Sequence, residues 1–157
     1  MATVGISLGS NLGDRLAHLQ IARSRLAELS EGSAFRVSGL YETDPVDCLP
    51  GDPAFLNAVV EIETSRTPEE ILQICQALEK ELGRPAEREQ NSPRPLDLDL
   101  LYYDELVLER PELTLPHPRM RERGFVLLPL SEIRPDLVSE SEREQHREGV
   151  VLVESRW

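Results

Sequence analysis

A predicted helix between two predicted strands, in the middle of the chain, most restricts the folds that the sequence can adopt. Residues 55–64, FLNAVVEIET, and residues 96–103, LDLDLLYY, place alternate side chains on opposite faces, a pattern that predicts β-strands. Between them, Thr67 is followed by a proline and then by Glu70, a capping box that predicts a helix ending before Gly83. The chain therefore contains a β–α–β unit.

The first forty residues show the same order of elements. Residues 3–8, TVGISL, predict a strand, and residues 9–14, GSNLGD, predict a turn. A helix is predicted from Asp14 to Ser30, and a second strand over residues 35–41. The apolar positions that fit the first helix are Leu16, Leu19, Ile21, Leu26 and Leu29. The order βαββαβ predicts an α+β, ferredoxin-like fold with a mainly antiparallel sheet and helices on one face.

The remaining residues are predicted to add to this core. The additions are a strand near 105–109, a proline-rich turn at 114–120 and a short helical or mixed element at 124–133. Residues 139–148, SESEREQHRE, are predicted to be solvated and open to disorder. At 157 residues, the chain fits a single domain over 1–157, with 139–157 as a tail to which the sequence assigns no role.

Charge and composition exclude several classes of protein. A net charge of −12 argues against a general nucleic-acid binder. No stretch approaches eighteen consecutive apolar residues, and the first residues do not resemble a signal peptide. Cys48 and Cys75 are too few for a disulfide framework, so we expect two free thiols. We therefore expect a cytoplasmic protein that binds neither membrane nor nucleic acid. We also expect a monomer.

Arginine greatly outnumbers lysine in this acidic chain. Lys80 is the only lysine against sixteen arginines, and seven of those arginines fall between Arg84 and Arg123. The planar guanidinium group can hold two phosphate oxygens at once, which suits a small polyanion bound locally. The base composition of the genome could also raise the arginine content, and the sequence alone leaves both explanations open.

Two irregular stretches are long for a domain of this size. Residues 42–54, ETDPVDCLPGDPA, and residues 84–95, RPAEREQNSPRP, are rich in proline. Long connections without regular structure are often lids or binding loops. We therefore expect both to lie beside a site.

Asp97 and Asp99 are unusual because both occur inside a predicted strand. Their alternation with leucines at positions 96, 98 and 100 places both carboxylates on one face, roughly 6.6 Å apart along the chain. Two such charges disfavour each other's ionisation unless a shared proton, neighbouring arginines or divalent cations offset the repulsion. A carboxylate pair on a rigid strand suits Mg²⁺ bound together with nucleotide phosphates. The alternative is a solvent-facing strand whose polar residues happen to be aspartates.

Phe55 and Asn57 share one face of another predicted strand. An aromatic ring beside an amide can stack on a flat heterocycle and hydrogen-bond its edge, and Phe125 could supply the other side of the stack. An ordinary half-buried strand remains the alternative. The turn at 9–14 could likewise cradle a phosphate or simply pack tightly.

Six segments together carry a family resemblance. They are SLGSNLGDR, LYETDPV, DPAFLNAVVEIET, LEKELGR, PRPLDLDLLYYD and LPHPRMRERGFVLLPLSEI. In this order and at these spacings, they resemble the 6-hydroxymethyl-7,8-dihydropterin pyrophosphokinases of folate biosynthesis over residues 3 to about 138. The resemblance implies a ferredoxin-like fold, ATP as co-substrate and two Mg²⁺ ions. It also implies transfer of diphosphate from ATP to the hydroxymethyl oxygen of the pterin, with release of AMP.

The resemblance also implies roles for individual residues. It implies that Asp97 and Asp99 are metal ligands. Together with Arg84 and Arg94, they would be the catalytic residues. Pterin contacts are Thr43, Pro45, Val46, Phe55, Asn57 and Phe125. ATP contacts are Gln76, Glu79, Arg84, Arg94, Leu100, Thr114, His117 and Arg123. The loops at 44–54 and 84–94 correspond to those that close over the substrates.

The chain departs from the family pattern in the second loop and near His117. Many members carry Arg-Trp where this chain has Gln90 and Asn91, tyrosine where it has Pro118, and arginine where it has Ala86. These losses concern contacts to phosphate and adenine, for which Arg88 is the candidate replacement. Paired carboxylates with arginines also permit a nucleotidyltransferase, and the scaffold alone permits a non-catalytic binding module.

Overall fold

The computed structural model describes residues 1–43, 54–83 and 95–157. Its strands are β1 (Ala2–Ser10), β2 (Arg36–Val37), β3 (Leu40–Thr43), β4 (Phe55–Thr64), β5 (Asp97–Tyr103), β6 (Leu108–Arg110), β7 (Leu113–Leu115) and β8 (Val150–Glu154). Its helices are α1 (Arg15–Leu29), α2 (Pro68–Glu81), α3 (Gly124–Ile133) and α4 (Glu140–His146), with a 3-10 turn at Met120–Glu122. The described strands form a six-stranded central sheet and a separate β6–β7 hairpin.

The central sheet has the predicted ferredoxin-like order. Its strands run β5-β1-β4-β3-β8, β2 also pairs with β4, and all of these pairings are antiparallel. α1 and α2 cover one face and enclose the first core, which includes Ile6, Leu8, Leu26 and Ile71. The capping box at Thr67 and Glu70 starts α2 as predicted. The predicted α+β fold is therefore confirmed.

The buried face of α1 differs from the predicted one. Leu19, Ala22 and Leu26 are fully buried, whereas Leu16 is 38% exposed and Ile21 is 40% exposed. Ile21 follows Leu19 by two residues, which is about 200° around a helix, so it faces away from the sheet. The predicted extent of the helix is confirmed, but two of its five apolar positions face solvent.

The strand predicted over residues 35–41 is interrupted. The backbone N–H of Ser38 donates to the carbonyl of Val59 at 3.0 Å, and the Ser38 hydroxyl accepts from the N–H of Val59 at 2.9 Å. The Ser38 hydroxyl thus replaces a backbone carbonyl as acceptor in the β-ladder, and the predicted strand is divided there into β2 and β3. β3 then continues to Thr43. Of the long loop predicted at 42–54, residues 44–53 lie outside the described part of the chain.

A second core lies on the opposite face of the sheet. Val126, Leu127 and Leu130 of α3 pack there with Val59 and Leu101. The prediction of helices on one face was made for the βαββαβ core and is confirmed for α1 and α2, whereas α3, from the added C-terminal part, covers the other face. Its sequence is apolar around its whole circumference, so one face cannot be assigned to the sheet from periodicity.

A register shift in β5 helps to form this second core. Leu100 pairs with Ile6 but Tyr102 pairs with Gly5, so Leu101 is an extra residue. Leu101 and Tyr102 consequently both contribute to the second core. A Cβ on Gly5 would overlap the Tyr102 ring, so only glycine fits beneath it.

The C-terminal residues are ordered, contrary to the prediction of disorder at 139–148. Ser139 and Glu142 form a reciprocal capping box at the start of α4, a signal of the same kind as the one recognised at α2. α4 has no buried residue, so the predicted solvation is confirmed. β8 follows and pairs with β3. The strand predicted near 105–109 is displaced to β6, which pairs with β7 outside the main sheet.

Candidate functional site

The two aspartates of β5 lie on the same face of the sheet, as predicted. Leu96, Leu98 and Leu100 enter the first core, so the alternating carboxylates face the side that carries α3. On β1, Asp97 pairs with Gly9 and Asp99 pairs with Ser7. These small neighbours leave space above the sheet beside both carboxylates. Asp99 is half-buried, with 36% of its side chain exposed.

A cationic group faces the acidic pair. Nη1 of Arg123 lies 3.8 Å from Oδ2 of Asp99, and the guanidinium carbon lies 5.4 Å from the centroid of the Phe125 ring. The backbone N–H of His117 donates to the carbonyl of Leu101 at 2.8 Å, which ties His117 to β5. Arg123 therefore connects a predicted metal ligand with a predicted pterin contact, and His117 is held beside the same strand.

The electrostatic environment of His117 favours the neutral ring. Burial lowers its pKa below the ordinary value of 6.5, and Arg123 and Arg119 lower it further, whereas Asp97 raises it. Nδ1 accepts a hydrogen bond from the backbone N–H of Arg119 at 3.1 Å. In the neutral ring the proton is then on Nε2. At neutral pH this side chain is therefore a hydrogen-bond donor without a full charge.

We expect the NMR titration midpoint of His117 to lie below 6.5 in the folded, ligand-free protein. Between that midpoint and 6.5 the unfolded chain binds more protons than the folded one, so the free energy of unfolding falls as the pH falls through this window. Asp97→Asn removes the carboxylate that raises the pKa and should move the midpoint lower still. A midpoint at or above 6.5 would contradict this electrostatic description.

An amide and an aromatic ring lie across β1 from the aspartates. Nδ2 of Asn57 donates to Oγ1 of Thr43 at 3.0 Å and is 3.4 Å from the carbonyl oxygen of Tyr41. These two bonds orient the amide. Oδ1 of Asn57 and Cδ1 of Phe55 each lie 3.5 Å from the point that a Cβ on Gly9 would occupy. An amide oxygen and a ring thus border the space above this glycine.

The two halves of the site belong to one row of the sheet. Asp97 pairs with Gly9, and Gly9 pairs with Asn57. The carboxylate and the amide are therefore separated by two strand spacings, about 9.5 Å.

A model of a known protein family matches most of the chain. The model of the family "7,8-dihydro-6-hydroxymethylpterin-pyrophosphokinase (HPPK)" matches residues 5–135. The chain belongs to this family. The predicted family resemblance is thereby confirmed.

Individual relatives support the family assignment. A 2-amino-4-hydroxy-6-hydroxymethyldihydropteridine pyrophosphokinase of Bacillus subtilis is 44% identical over 146 residues, which are 92% of this chain and 86% of the relative. The folic acid synthesis protein fol1 of Schizosaccharomyces pombe is 42% identical over 133 residues, which are 85% of this chain but only 18% of that protein. The HPPK chain is thus similar to one portion of a larger protein as well as to proteins of its own length.

Solved structures share the fold. The wild-type HPPK-DHPS of Plasmodium falciparum with SDX-DHP has a TM-score of 0.64 and 15% identity, and covers 92% of this chain. An HPPK-DHPS in complex with substrates has a TM-score of 0.65 and 14% identity over the same share. This chain spans 43% of each of those proteins. The likeness supports the ferredoxin-like fold.

The donor set of the candidate site suits magnesium better than zinc. Asp97 and Asp99 supply two carboxylates side by side, and Mg²⁺ is typically held by one or two carboxylates together with waters and substrate phosphates. Within residues 1–43, 54–83 and 95–157, no cluster of three or more His, Cys, Asp or Glu side chains could hold a metal ion. A closed protein site of the structural zinc type is therefore absent from the described residues.

Several residues that are predicted to contact ATP do not share the sheet face that carries the aspartates. Gln76 and Glu79 belong to α2, which covers the other face, and Glu79 accepts a hydrogen bond from the N–H of Leu98 at 2.9 Å. Glu79 thus helps to hold the start of β5. Leu100 is 3% exposed in the first core, so only its backbone is available to a ligand. Thr114 lies on β7 between two core leucines and faces away from that core.

Some predicted residues cannot be placed. Outside the described residues lie Pro45, Val46, Arg84, Arg88 and Arg94, together with residues 44–53 of the closing loop predicted at 44–54 and the whole closing loop predicted at 84–94. Their roles remain predictions.

Sequence reasoning missed the residues that make room for the site and brace it. β1 alternates large apolar residues with Gly5, Ser7 and Gly9, and this small-residue face was the available signal. Glu61 and Arg134 form an ion pair with a 2.8 Å separation beneath the second core. A glutamate in the middle of an apolar strand was the only local signal for it.

No helix among the described residues has the length and apolar character needed to cross a bilayer.

Proposed function

We propose that this protein catalyses the Mg²⁺-dependent transfer of diphosphate from ATP to the hydroxymethyl group of 6-hydroxymethyl-7,8-dihydropterin, with release of AMP, in folate biosynthesis. The observation that carries the proposal is the shared row of Asp97, Gly9 and Asn57, which sets a carboxylate pair and an oriented amide on one face. The name and 44% identity of the Bacillus subtilis relative support the choice of substrate.

The pterin is proposed to bind over Gly9. Asn57, oriented by Thr43, would hydrogen-bond the edge of the heterocycle, and Phe55 and Phe125 would stack on its faces. Asn57 is 3% exposed and Thr43 is 7% exposed, so the polar atoms of both lie in the buried floor of the proposed pocket. Such groups select a ligand because a wrong partner leaves them unpaired. Pro45 and Val46 complete the proposed pocket.

The phosphates are proposed to lie above Asp97 and Asp99. These two carboxylates would hold Mg²⁺, which supplies neutralisation of phosphate charge when bound. Arg123 and the Nε2 proton of His117 would steady the phosphate oxygens, together with Arg84 and Arg94. Gln76, Thr114 and the backbone of Leu100 would contact the rest of the nucleotide. Glu79 is proposed to act indirectly, through its bond to the start of β5.

The reaction is proposed to be an in-line attack of the pterin hydroxyl on the β-phosphorus of ATP. A loose transition state requires little removal of the hydroxyl proton in advance. Asp97 lies in the row that ends at Asn57 and is the proposed late acceptor of that proton. The protein contributes mainly by positioning the two substrates and by opposing negative charge. We place this small-molecule reaction in the cytoplasm and the protein in a monomeric state as parts of the same proposal.

Product analysis tests the proposal. With ATP, Mg²⁺ and the dihydropterin, we expect AMP and the pterin diphosphate in equal amounts. A dihydropterin with a methyl group in place of the hydroxymethyl group is the matched control, because it lacks the nucleophile and should give no AMP. Release of pyrophosphate would indicate a nucleotidyltransferase instead, and unchanged ATP would indicate a binding module.

A further inference from the structure

The C-terminal arm, defined as residues 139–157, contacts two elements that carry proposed pterin residues. β8 pairs with β3 from Leu40 to Thr43, whereas β4 pairs with β3 only from Tyr41 to Thr43. The arm therefore supplies at least as much of the ladder around β3 as the rest of the sheet does. In this ladder the direct partner of Thr43 is Val150.

Val150 also contacts the start of α3. A Cβ on Gly124 would lie 3.0 Å from Cγ2 of Val150 and would overlap the carbonyl oxygen of His146 at the end of α4. Gly124 directly precedes Phe125 in the chain. Val150 is thus adjacent to both elements: it pairs with Thr43 in the β3–β8 ladder, and its side chain approaches the helix start that carries Phe125. The close approach depends on glycine at position 124.

Val150 differs from the other residues of its strand in burial. It is half-buried, whereas Val151 is 59% exposed and Val153 is 44% exposed. The strand as a whole is therefore a solvent-facing edge, and Val150 is the point at which it packs inward.

The far end of the arm is anchored. Nε1 of Trp157 donates to the carbonyl of Ser38 at 2.8 Å, and the Arg23 guanidinium carbon lies 5.2 Å from the centroid of the Trp157 ring. Arg23 also donates to the backbone oxygen of Trp157. Trp157 anchors the chain after β8, and α4 precedes β8 and packs against α3. These two attachments oppose a shift of β8 along β3. Val150 is consequently kept opposite Thr43.

We propose that Val150 is a positioning residue for the pterin, because its strand pairing with Thr43 and the approach of its side chain to Gly124 together set the spacing between the β3 wall and the Phe125 wall of the pocket. This inference rests on the proposed function and assigns to the C-terminal arm a role in substrate binding. Val150 touches neither reacting atoms nor phosphate, so it should influence KM for the pterin rather than kcat.

Paired valine substitutions test the proposal. Val150→Ala should raise KM for the pterin about fivefold to tenfold, because a displaced wall loses contact with the ligand, while kcat and KM for ATP stay within about twofold. Val151→Ala is the matched control, since Val151 pairs with Glu42 of the same strand but faces solvent. Val150→Thr keeps the branched shape and should behave like the wild type. Equal effects of Val150→Ala and Val151→Ala, or equal rises in both KM values, would overturn the proposal.

Hydrogen exchange separates this proposal from the proposed function. In Val150→Ala, the amides of Thr43 and Phe125 should exchange at least about fivefold faster than in the wild type, and those of β1 should be unchanged. If the wild type forms no AMP, the proposed function fails, and this measurement still decides whether Val150 braces the two walls. Exchange at Thr43 and Phe125 that matches the Val151→Ala protein would overturn the brace.

Discussion

Asp97→Asn and Asp99→Asn are each expected to lower kcat by about a thousandfold, while the dissociation constant for the pterin stays within about twofold. Asparagine keeps the shape of the side chain but removes the negative charge that would hold Mg²⁺ against the phosphates. Asn57, the proposed hydrogen-bond partner of the pterin edge, lies two strand spacings from Asp97 across Gly9, so its bonds should be undisturbed. Single-turnover rates and equilibrium binding of the pterin would measure the two effects separately.

Loss of activity in these variants should not reflect unfolding. Both carboxylates are on the face away from the first core. Removal of one charge from the like-charged pair relieves repulsion, and this offsets the loss of the 3.8 Å ion pair between Asp99 and Arg123. We therefore expect thermal unfolding within about 3 °C of the wild type. Asp104→Asn is the matched control: Asp104 follows the same strand, and its Oδ1 accepts from the N–H of Thr3 at 2.8 Å, a bond that asparagine can keep. Activity above a tenth of the wild-type value in both β5 variants would contradict the metal assignment.

The placement of the aspartates could be predicted because it depends only on local alternation. A period of two puts Asp97 and Asp99 on one face whatever the rest of the chain does. The same reasoning placed Phe55 beside Asn57. The order βαββαβ then implied the sheet in which β1 lies between these two strands. These parts of the site follow from short-range pattern and from a small set of permitted topologies.

Other features depended on long-range packing. The extra residue at Leu101 arises because Tyr102 lies over Gly5, a contact between positions 97 residues apart. The face of the sheet that α3 covers could not be predicted either, since apolar residues surround the whole helix. The arm was missed for a different reason, because an exposed charged sequence suggested disorder although Ser139 and Glu142 carried a capping signal.

The buried ion pair beneath the second core should contribute more to stability than the surface pairs. Nη1 of Arg134 lies 2.8 Å from Oε2 of Glu61, which is 6% exposed, and the Tyr102 hydroxyl donates to the same carboxylate oxygen. Burial and the hydrogen bond to Glu61 raise the pKa of Tyr102, and the bonds to Asp136 and Glu61 raise that of Arg134. The group joins β4 and β5 to the end of α3, whose other end carries Phe125.

Arg134→Met is expected to lower the free energy of unfolding by about 3 kcal/mol, because it leaves the Glu61 carboxylate buried with less compensation. Arg36, with its Nε 4.0 Å from Glu61, is too distant to replace the lost contact fully. Urea denaturation of the single variant and of the double variant Glu61→Gln/Arg134→Met would measure the effect. The double variant should recover at least about 1 kcal/mol, since a neutral amide costs less to bury than an unpaired charge.

The matched control for this prediction is Arg119→Met. Arg119 pairs with Glu122 at 3.6 Å, but both side chains are more than half exposed, so the same substitution should cost less than about 0.5 kcal/mol. A similar loss in the two single variants would mean that burial does not distinguish the pairs. If Arg134→Met alone behaves as predicted, the Glu61 group holds the end of α3 to the sheet. Together with the Val150 contact at the start of that helix, it would then fix the Phe125 wall of the pocket from both ends.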